Sequence, residues 1–197
     1  CSHGAKLIKF VDRTFNCDRR RALELWRFLR DLPGDCRFHF EICAHLLDDE
    51  ALEFLRTVPP GRFQFEVGVQ STNPQTLSAI HRQTDLDRCL SNVKKLGDMG
   101  NIHLHLDLIA GLPYEDLTTF ARSFDQVYPV SQVLQLGFLK VLSGSEIAAR
   151  QEEYGYRFSQ TPPYQVLQSR WISYDELIYL SRIEQVLERY KNSGVFP

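Results

Sequence analysis

Apolar and polar residues follow two periods along the chain, and stretches of one period alternate with stretches of the other. Where every second residue is apolar the pattern predicts a β-strand, and where apolar residues recur every three or four positions it predicts an amphipathic helix. The predicted strands are 7–15, 37–44, 63–70, 103–110 and 133–142, and the predicted helices are 18–32, those after Asp48, Asn73 and Ser145, 86–99, 117–127 and 173–191. Such alternation is typical of β–α–β units on a parallel sheet.

Residues with strong capping preferences stand at the ends of these helices. Asp48 and the Asn73-Pro74 pair are suited to N-terminal caps, and Ser173 with Glu176 matches a capping box. Gly100 is suited to the residue after a helix, where the backbone turns left-handed. The caps therefore support the same division into elements.

One face of the predicted sheet is polar. A parallel sheet covered by helices on both faces would read as nearly continuous Val, Ile and Leu. Instead, the polar positions of adjacent strands are His39, Glu41, Gln64, Glu66, Gln70, His103, His105 and Asp107. Because buried polar groups need partners, this face indicates an interior that holds a ligand, a cofactor or water. We therefore expect an α/β fold with a curled sheet and helices outside it.

Composition narrows the class of protein. A chain of 197 residues, 43% hydrophobic and 12% aromatic, suffices for one well-packed domain. The net charge of −2 provides no basic field for nucleic acid, and no apolar run approaches the roughly 18–20 residues of a membrane span. The five cysteines lack the spacing of a secreted disulfide scaffold, and no signal peptide is recognised. These observations predict a cytoplasmic protein with neither nucleic-acid nor membrane partners.

A His-x-His-x-Asp sequence offers one candidate chemistry. His103, His105 and Asp107 share a face of their strand, and this residue set is suited to metal binding, as in barrel metallohydrolases. His45 and His81 do not obviously complete such a site, so a network of neutral histidines is the competing interpretation. A metal-dependent hydrolase and a non-catalytic barrel that binds a small molecule both stay open as alternatives.

Five segments carry a family resemblance by their order and spacing. They are FVDRTF at 10–15, FEIC at 40–43, GVQS at 68–71, IHR at 80–82 and DLIAGLP at 107–113. Together they resemble the radical S-adenosylmethionine (SAM) superfamily, in the branch of oxygen-independent coproporphyrinogen oxidases and cobalamin-dependent radical enzymes. The resemblance implies a partial (β/α)6 barrel of the TIM type, with strands two to six in residues 1–153. A helical C-terminal extension of unassigned role would occupy 154–197.

The resemblance also implies a set of SAM-binding residues. They are Asp12, Glu41, Gln70, Ser71, Arg82, Asp107, Ile109 and Gly111. Arg82 would hold the methionine carboxylate and Asp107 the ribose hydroxyls, since a guanidinium pairs with a carboxylate and a carboxylate accepts from two hydroxyls. Gln70 would contact the ribose and Glu41 the methionine or ribose region, while the last two residues of the set would border the adenine. No residue is identified as catalytic.

Two departures from the family pattern shape the expected function. The CxxxCxxC motif that binds the family's 4Fe-4S cluster is not in the chain, and Asp12-Arg13-Thr14 stands where Gly-Gly-Glu is usual. We therefore expect a fragment, inactive by itself, of an iron–sulfur oxidoreductase or transferase whose cluster ligands lie outside it. The parent would cleave SAM reductively and abstract hydrogen from an unidentified small-molecule substrate. The branch also implies cobalamin and an upstream cobalamin-binding domain.

Overall fold

The computed structural model describes residues 4–195, which contain strands and helices in alternation. The strands are β1 (Leu7–Lys9), β2 (Arg37–Ile42), β3 (Phe63–Gln70), β4 (His103–Ala110), β5 (Val133–Phe138), β6 (Arg157–Phe158) and β7 (Val166–Gln168). The α-helices are α1 (Arg19–Asp31), α2 (Asp49–Arg56), α3 (Pro74–Ala79), α4 (Leu86–Met99), α5 (Leu117–Val127), α6 (Glu146–Ala149) and α7 (Tyr174–Val186). A π-helical segment, Leu187–Asn192, continues α7.

The first five strands form one parallel sheet in chain order, β1-β2-β3-β4-β5. The sheet does not close on itself, so it forms a partial barrel. This confirms the predicted α/β class. In the tail, β6 and β7 form a separate antiparallel pair.

By its internal contacts the chain divides into two compact units. The first contains the chain up to Gly68 together with Thr84–Leu106 and Pro129–Val133. The second contains Val69–Gln83, Asp107–Tyr128 and the chain from Leu134 onward. The carboxyl ends of β3 and β4 therefore belong to the second unit.

The core of the first unit is a cluster of aromatic rings. Phe40 and Phe65, on the apolar face of β2 and β3, are fully buried, and Trp26 of α1 is 1% exposed. Phe15 packs against Phe40 with ring centroids 4.6 Å apart. Burial alternates residue by residue along β3, which is the pattern expected for a strand with one apolar and one polar face.

The predicted caps are present. The Asp48 side chain accepts from the Ala51 N–H, Ser173 and Glu176 form the capping box, and Gly100 has φ +70° at the end of α4. Within residues 4–195, no helix is both long and apolar enough to cross a membrane.

Three predicted strands are shorter in the structure, and one pair was not predicted. β1 ends at Lys9 instead of residue 15, and the 3-10 turn Phe15–Cys17 begins within the predicted range. β2 ends at Ile42 instead of residue 44, where the next 3-10 turn begins, and β5 ends at Phe138 instead of residue 142. β6 and β7 contain two and three residues, too few for a period-two pattern to indicate a strand.

Candidate functional site

Polar side chains of the first unit pair with one another across neighbouring strands. His39 Nε2 lies 3.1 Å from Glu66 Oε2, and Gln64 Nε2 lies 3.2 Å from His105 Nε2. The first pair is a diagonal contact between β2 and β3, since the register sets His39 beside Gln64, two residues before Glu66. The second pair joins β3 and β4. Much of the polar face in this unit is thus a hydrogen-bond network between protein groups.

The structure gives no support to a metal site at the two histidines of β4. The rings of His103 and His105 meet edge to face with centroids 4.7 Å apart. Partial burial, together with the positive charge of Arg37, lowers the pKa of His103 and favours a neutral ring. In the described part of the chain, no three His, Cys, Asp or Glu side chains gather as metal ligands.

Two of the predicted SAM-binding residues lie in the first unit. Glu41 is exposed near the carboxyl end of β2, where the register sets it beside Glu66 of β3. Asp12 follows β1 and pairs with Arg21 of α1 at 3.3 Å. Both occupy the side of the sheet on which α/β proteins bind ligands.

The other six predicted residues lie in the second unit. Gln70 is the last residue of β3 and Ser71 follows it, while Asp107 and Ile109 belong to β4. The remaining two are Arg82, just after α3, and Gly111, directly after β4. Five of these six therefore lie on or directly after β3 and β4, and Arg82 follows α3.

A cavity of about 380 Å³ opens beside the ends of β4 and β5. Asp107 and Ile109 line it together with Gln135, Gly137 and Lys140. Asp107 and Ile109 were predicted as SAM-binding residues. Gln135 of β5 and Lys140, which follows that strand in the structure, were not predicted as site residues. The cavity combines a carboxylate, an amide and an ammonium group with apolar surface.

The backbone is strained at the end of β3. Gln70 has φ +69°, a value that side chains other than glycine rarely adopt. The Ser71 N–H donates to the Val69 carbonyl at 2.9 Å, which makes a γ-turn of the strained, positive-φ form. Such conformations persist where the surroundings hold them, and they concentrate at ligand sites.

A buried carboxyl group, Glu115, lies beside this turn and was missed by the sequence analysis. Its side chain accepts hydrogen bonds from Ser71 Oγ at 2.5 Å and Ser123 Oγ at 3.3 Å. Burial raises the pKa of Glu115 to about 7, although the two serine hydrogen bonds act in the opposite direction. The only sequence signal was an acidic residue shortly after the Gly-Leu-Pro turn.

Gly111 packs directly against the tail of the chain. It has φ +88°, and a Cβ atom there would lie 2.6 Å from Val166 Cγ1 of β7. The Tyr156 hydroxyl donates to the Gly111 carbonyl at 2.9 Å, and burial raises the pKa of Tyr156, so the phenol keeps its proton. The glycine is therefore required by the close approach of the tail.

Aromatic side chains extend this contact to the next residues of the same loop. The ring of Tyr114 lies 4.6 Å from that of Trp171 and 6.0 Å from that of Tyr154. Arg150 stacks over Tyr154 at 4.4 Å. The loop after β4 is thus enclosed by residues of the C-terminal part of the chain.

Comparison with protein families divides the chain into two matched regions. A model described as the radical SAM superfamily matches residues 2–127, and one described as a protein of unknown function, DUF4080, matches residues 152–197. No curated protein matches the chain.

Solved structures share the fold at low sequence identity. Coproporphyrinogen III oxidase (HemN) from Escherichia coli is 19% identical with a TM-score of 0.60, over 87% of this chain and 37% of that one. The radical SAM methyltransferase TsrM from Kitasatospora setae, solved with cobalamin and a [4Fe-4S] cluster, is 15% identical with a TM-score of 0.64, over 87% and 36%. Elp3 from Methanocaldococcus infernus is 12% identical with a TM-score of 0.58, over 92% and 54%. The chain thus spans between about a third and a half of these structures.

Proposed function

The chain belongs to the radical SAM superfamily, and from this premise we propose that it is the SAM-binding core of a larger radical enzyme. Residues 1–153 form the barrel core in this proposal, and 154–197 form its extension. The observation that carries the proposal is that six predicted SAM-binding residues belong to one compact unit, which contains the carboxyl ends of β3 and β4. Five of them lie on or directly after these two strands, and Arg82 follows α3. Ligand sites of α/β proteins lie at these ends.

The side chains present suit the chemical groups of SAM. A guanidinium at Arg82 would pair with the methionine carboxylate. The Asp107 carboxylate lines the cavity and would accept hydrogen bonds from the two ribose hydroxyls. Ile109 supplies apolar surface in the same cavity for the adenine. SAM bound beside a reduced cluster would be the source of the radical that abstracts hydrogen from a substrate.

The cysteines present do not suit a 4Fe-4S cluster. No CxxxCxxC motif occurs in the sequence. Among the thiols that the structure describes, Cys17 is exposed in a 3-10 turn, Cys43 follows β2 and Cys89 is buried in α4. We therefore assign the cluster ligands to a part of the parent protein outside these residues, and we expect the chain alone not to cleave SAM.

The remaining parts of the proposal concern the parent protein. A small-molecule substrate would occupy the barrel interior, and a cobalamin-binding domain would precede the chain. The likeness to TsrM, solved with cobalamin, supports the second point. We place the protein in the cytoplasm, where cluster thiolates stay reduced, and the net charge of −2 gives no reason to expect a nucleic-acid partner.

The proposal is tested on the parent protein, reconstituted without oxygen. Iron and acid-labile sulfide are assayed, and EPR spectra are recorded after dithionite reduction with and without SAM. About four irons per chain and a reduced-cluster signal that SAM perturbs are expected. Absence of a cluster after reconstitution would overturn the proposal.

Replacing Arg82 with alanine should weaken SAM binding to the parent protein by about 1.5–3 kcal/mol, or roughly 10–150-fold in Kd, because a charge-assisted hydrogen bond to the carboxylate is lost. Calorimetric titration with SAM measures the effect. Arg122→Ala, which removes an exposed arginine of α5, is the matched control and should leave Kd unchanged. An unchanged Kd in the Arg82 variant would exclude this role.

A further inference from the structure

The turn after β3 is held by side chains of the second unit. The Thr72 N–H donates to Ser123 Oγ at 3.0 Å, and the Asn73 N–H donates to Ser71 Oγ, also at 3.0 Å. Asn73 Nδ2 donates to the Tyr114 carbonyl at 2.8 Å. Backbone N–H groups in buried positions need an acceptor, and here two serine hydroxyls provide it.

One carboxyl oxygen directs both serine hydroxyls. Ser71 Oγ and Ser123 Oγ donate to the same atom, Glu115 Oε1. A hydroxyl has a single hydrogen, so a serine that donates to Glu115 presents its lone pairs to other donors. Glu115 thereby orients the two acceptors that receive the N–H groups of Thr72 and Asn73.

The position of Glu115 has an energetic cost. The residue is 1% exposed, and within residues 4–195 its Oε2 atom has no hydrogen-bond partner. Asp116 is the charged group that acts on it, and it too disfavours the carboxylate. Burying this carboxyl group destabilises the fold, whereas its Oε1 atom accepts from both serines of the turn. The contribution of Glu115 to the structure is therefore that acceptor.

We infer that Glu115 is a positioning residue of the SAM site: through Ser71 and Ser123 it holds the turn that keeps Gln70 in its left-handed conformation. The role of this turn in binding SAM rests on the proposed function. Gln70 at φ +69° would relax toward an extended conformation if the following residues were released, because only the surrounding contacts maintain a strained backbone. Its amide would then leave the place from which, in the proposed function, it would contact the ribose.

The test begins with amide hydrogen exchange in the 197-residue chain, measured by NMR without SAM. Glu115→Ala should lower the protection of the Thr72 and Asn73 amides by at least about tenfold, since serine side chains no longer held by the carboxyl group can change rotamer and carry their Oγ acceptors away. Glu115→Gln keeps an oxygen acceptor and should restore the protection. The Cys43 amide, which donates to Asn16 Oδ1 at 2.9 Å in the first unit, is the internal reference.

Two serine variants make the test specific and keep it decisive if the Glu115→Ala variant does not fold. Ser71→Ala should lower the protection of the Asn73 amide alone, and Ser123→Ala that of the Thr72 amide alone. Unchanged protection at both amides, or an equal loss that includes the Cys43 amide, would overturn the positioning role.

SAM affinity of the reconstituted parent protein tests the functional part. Kd should rise at least about tenfold in Glu115→Ala and stay within about twofold of wild type in Glu115→Gln. Loosened amides with wild-type SAM affinity would overturn the link between this turn and SAM. A wild-type protein that binds no SAM would refute the proposed function instead, and the exchange data would still decide whether Glu115 holds the turn.

Discussion

Gly111→Ala is expected to lower the free energy of unfolding by about 2–5 kcal/mol. The residue has φ +88°, and placing a side chain in a left-handed conformation costs about 1–2 kcal/mol. The new Cβ would also lie 2.6 Å from Val166 Cγ1. Val166 is 1% exposed and β-branched, so it cannot easily move away, and overpacking adds about 1–3 kcal/mol.

Gly100→Ala separates the two contributions. Gly100 has φ +70°, but a Cβ atom there would meet nothing within 4 Å, so only the backbone cost of about 1–2 kcal/mol applies. Urea unfolding of both variants measures the difference. In the double variant Gly111→Ala/Val166→Ala the clash is absent, so the coupling energy between the two substitutions should equal the steric contribution to the loss of stability. Equal losses in the two glycine variants would show that the contact with Val166 is unimportant.

The contact at Gly111 gives the C-terminal extension a physical relation to the loop after β4. Val166 limits residue 111 to glycine, and the Tyr156 hydroxyl binds the carbonyl of that glycine. Tyr154 and Trp171 pack on Tyr114, which also has a positive φ of 60°. The positive-φ conformations of Gly111 and Tyr114 are thus supported by residues within the region that the DUF4080 model matches.

Elements with a strong local pattern were predictable from the sequence. β3 spans residues 63–70 in both the prediction and the structure, because burial alternates along its whole length. The capping box at Ser173 and the glycine at the end of α4 were predictable for the same reason, since the interactions lie within a few residues. β6 and β7 were not, because strands this short leave no period to detect.

The candidate site was predictable only in part. The resemblance located Gln70 and Asp107, and the structure shows where they lie, while their contacts with SAM stay a prediction. The role of Glu115 depends on Ser71, 44 positions away, and on a hydroxyl of α5. Likewise, the constraint on Gly111 comes from Val166 in the tail. Periodicity reports local structure and carries no information about such distant pairs.

The free energy of unfolding of the wild-type chain is expected to fall as the pH rises through 7 because of Glu115, and the Glu115→Gln variant is expected to lack this fall. Burial raises the pKa of Glu115 in the folded state to about 7, from an ordinary value of 4.5. The folded state therefore binds this proton more tightly than the unfolded state. Its contribution is fully present below pH 4.5 and is lost as the pH rises through 7, by about 3 kcal/mol in total. Glutamine keeps the acceptor oxygen but does not ionise.

Urea unfolding at several pH values between 5 and 8 measures this effect as the difference between the wild type and the Gln variant. The free energy of unfolding of the wild type should fall relative to the variant at each step, and most of the fall should be complete by about pH 8. Glu53→Gln on α2, where the side chain is 75% exposed, is the matched control and should follow the wild type throughout. Parallel curves for the wild type and Glu115→Gln would mean that the buried carboxyl group is not protonated in the folded state. The serine hydrogen bonds would then be made to a carboxylate, and a compensating positive charge would have to be sought near Glu115.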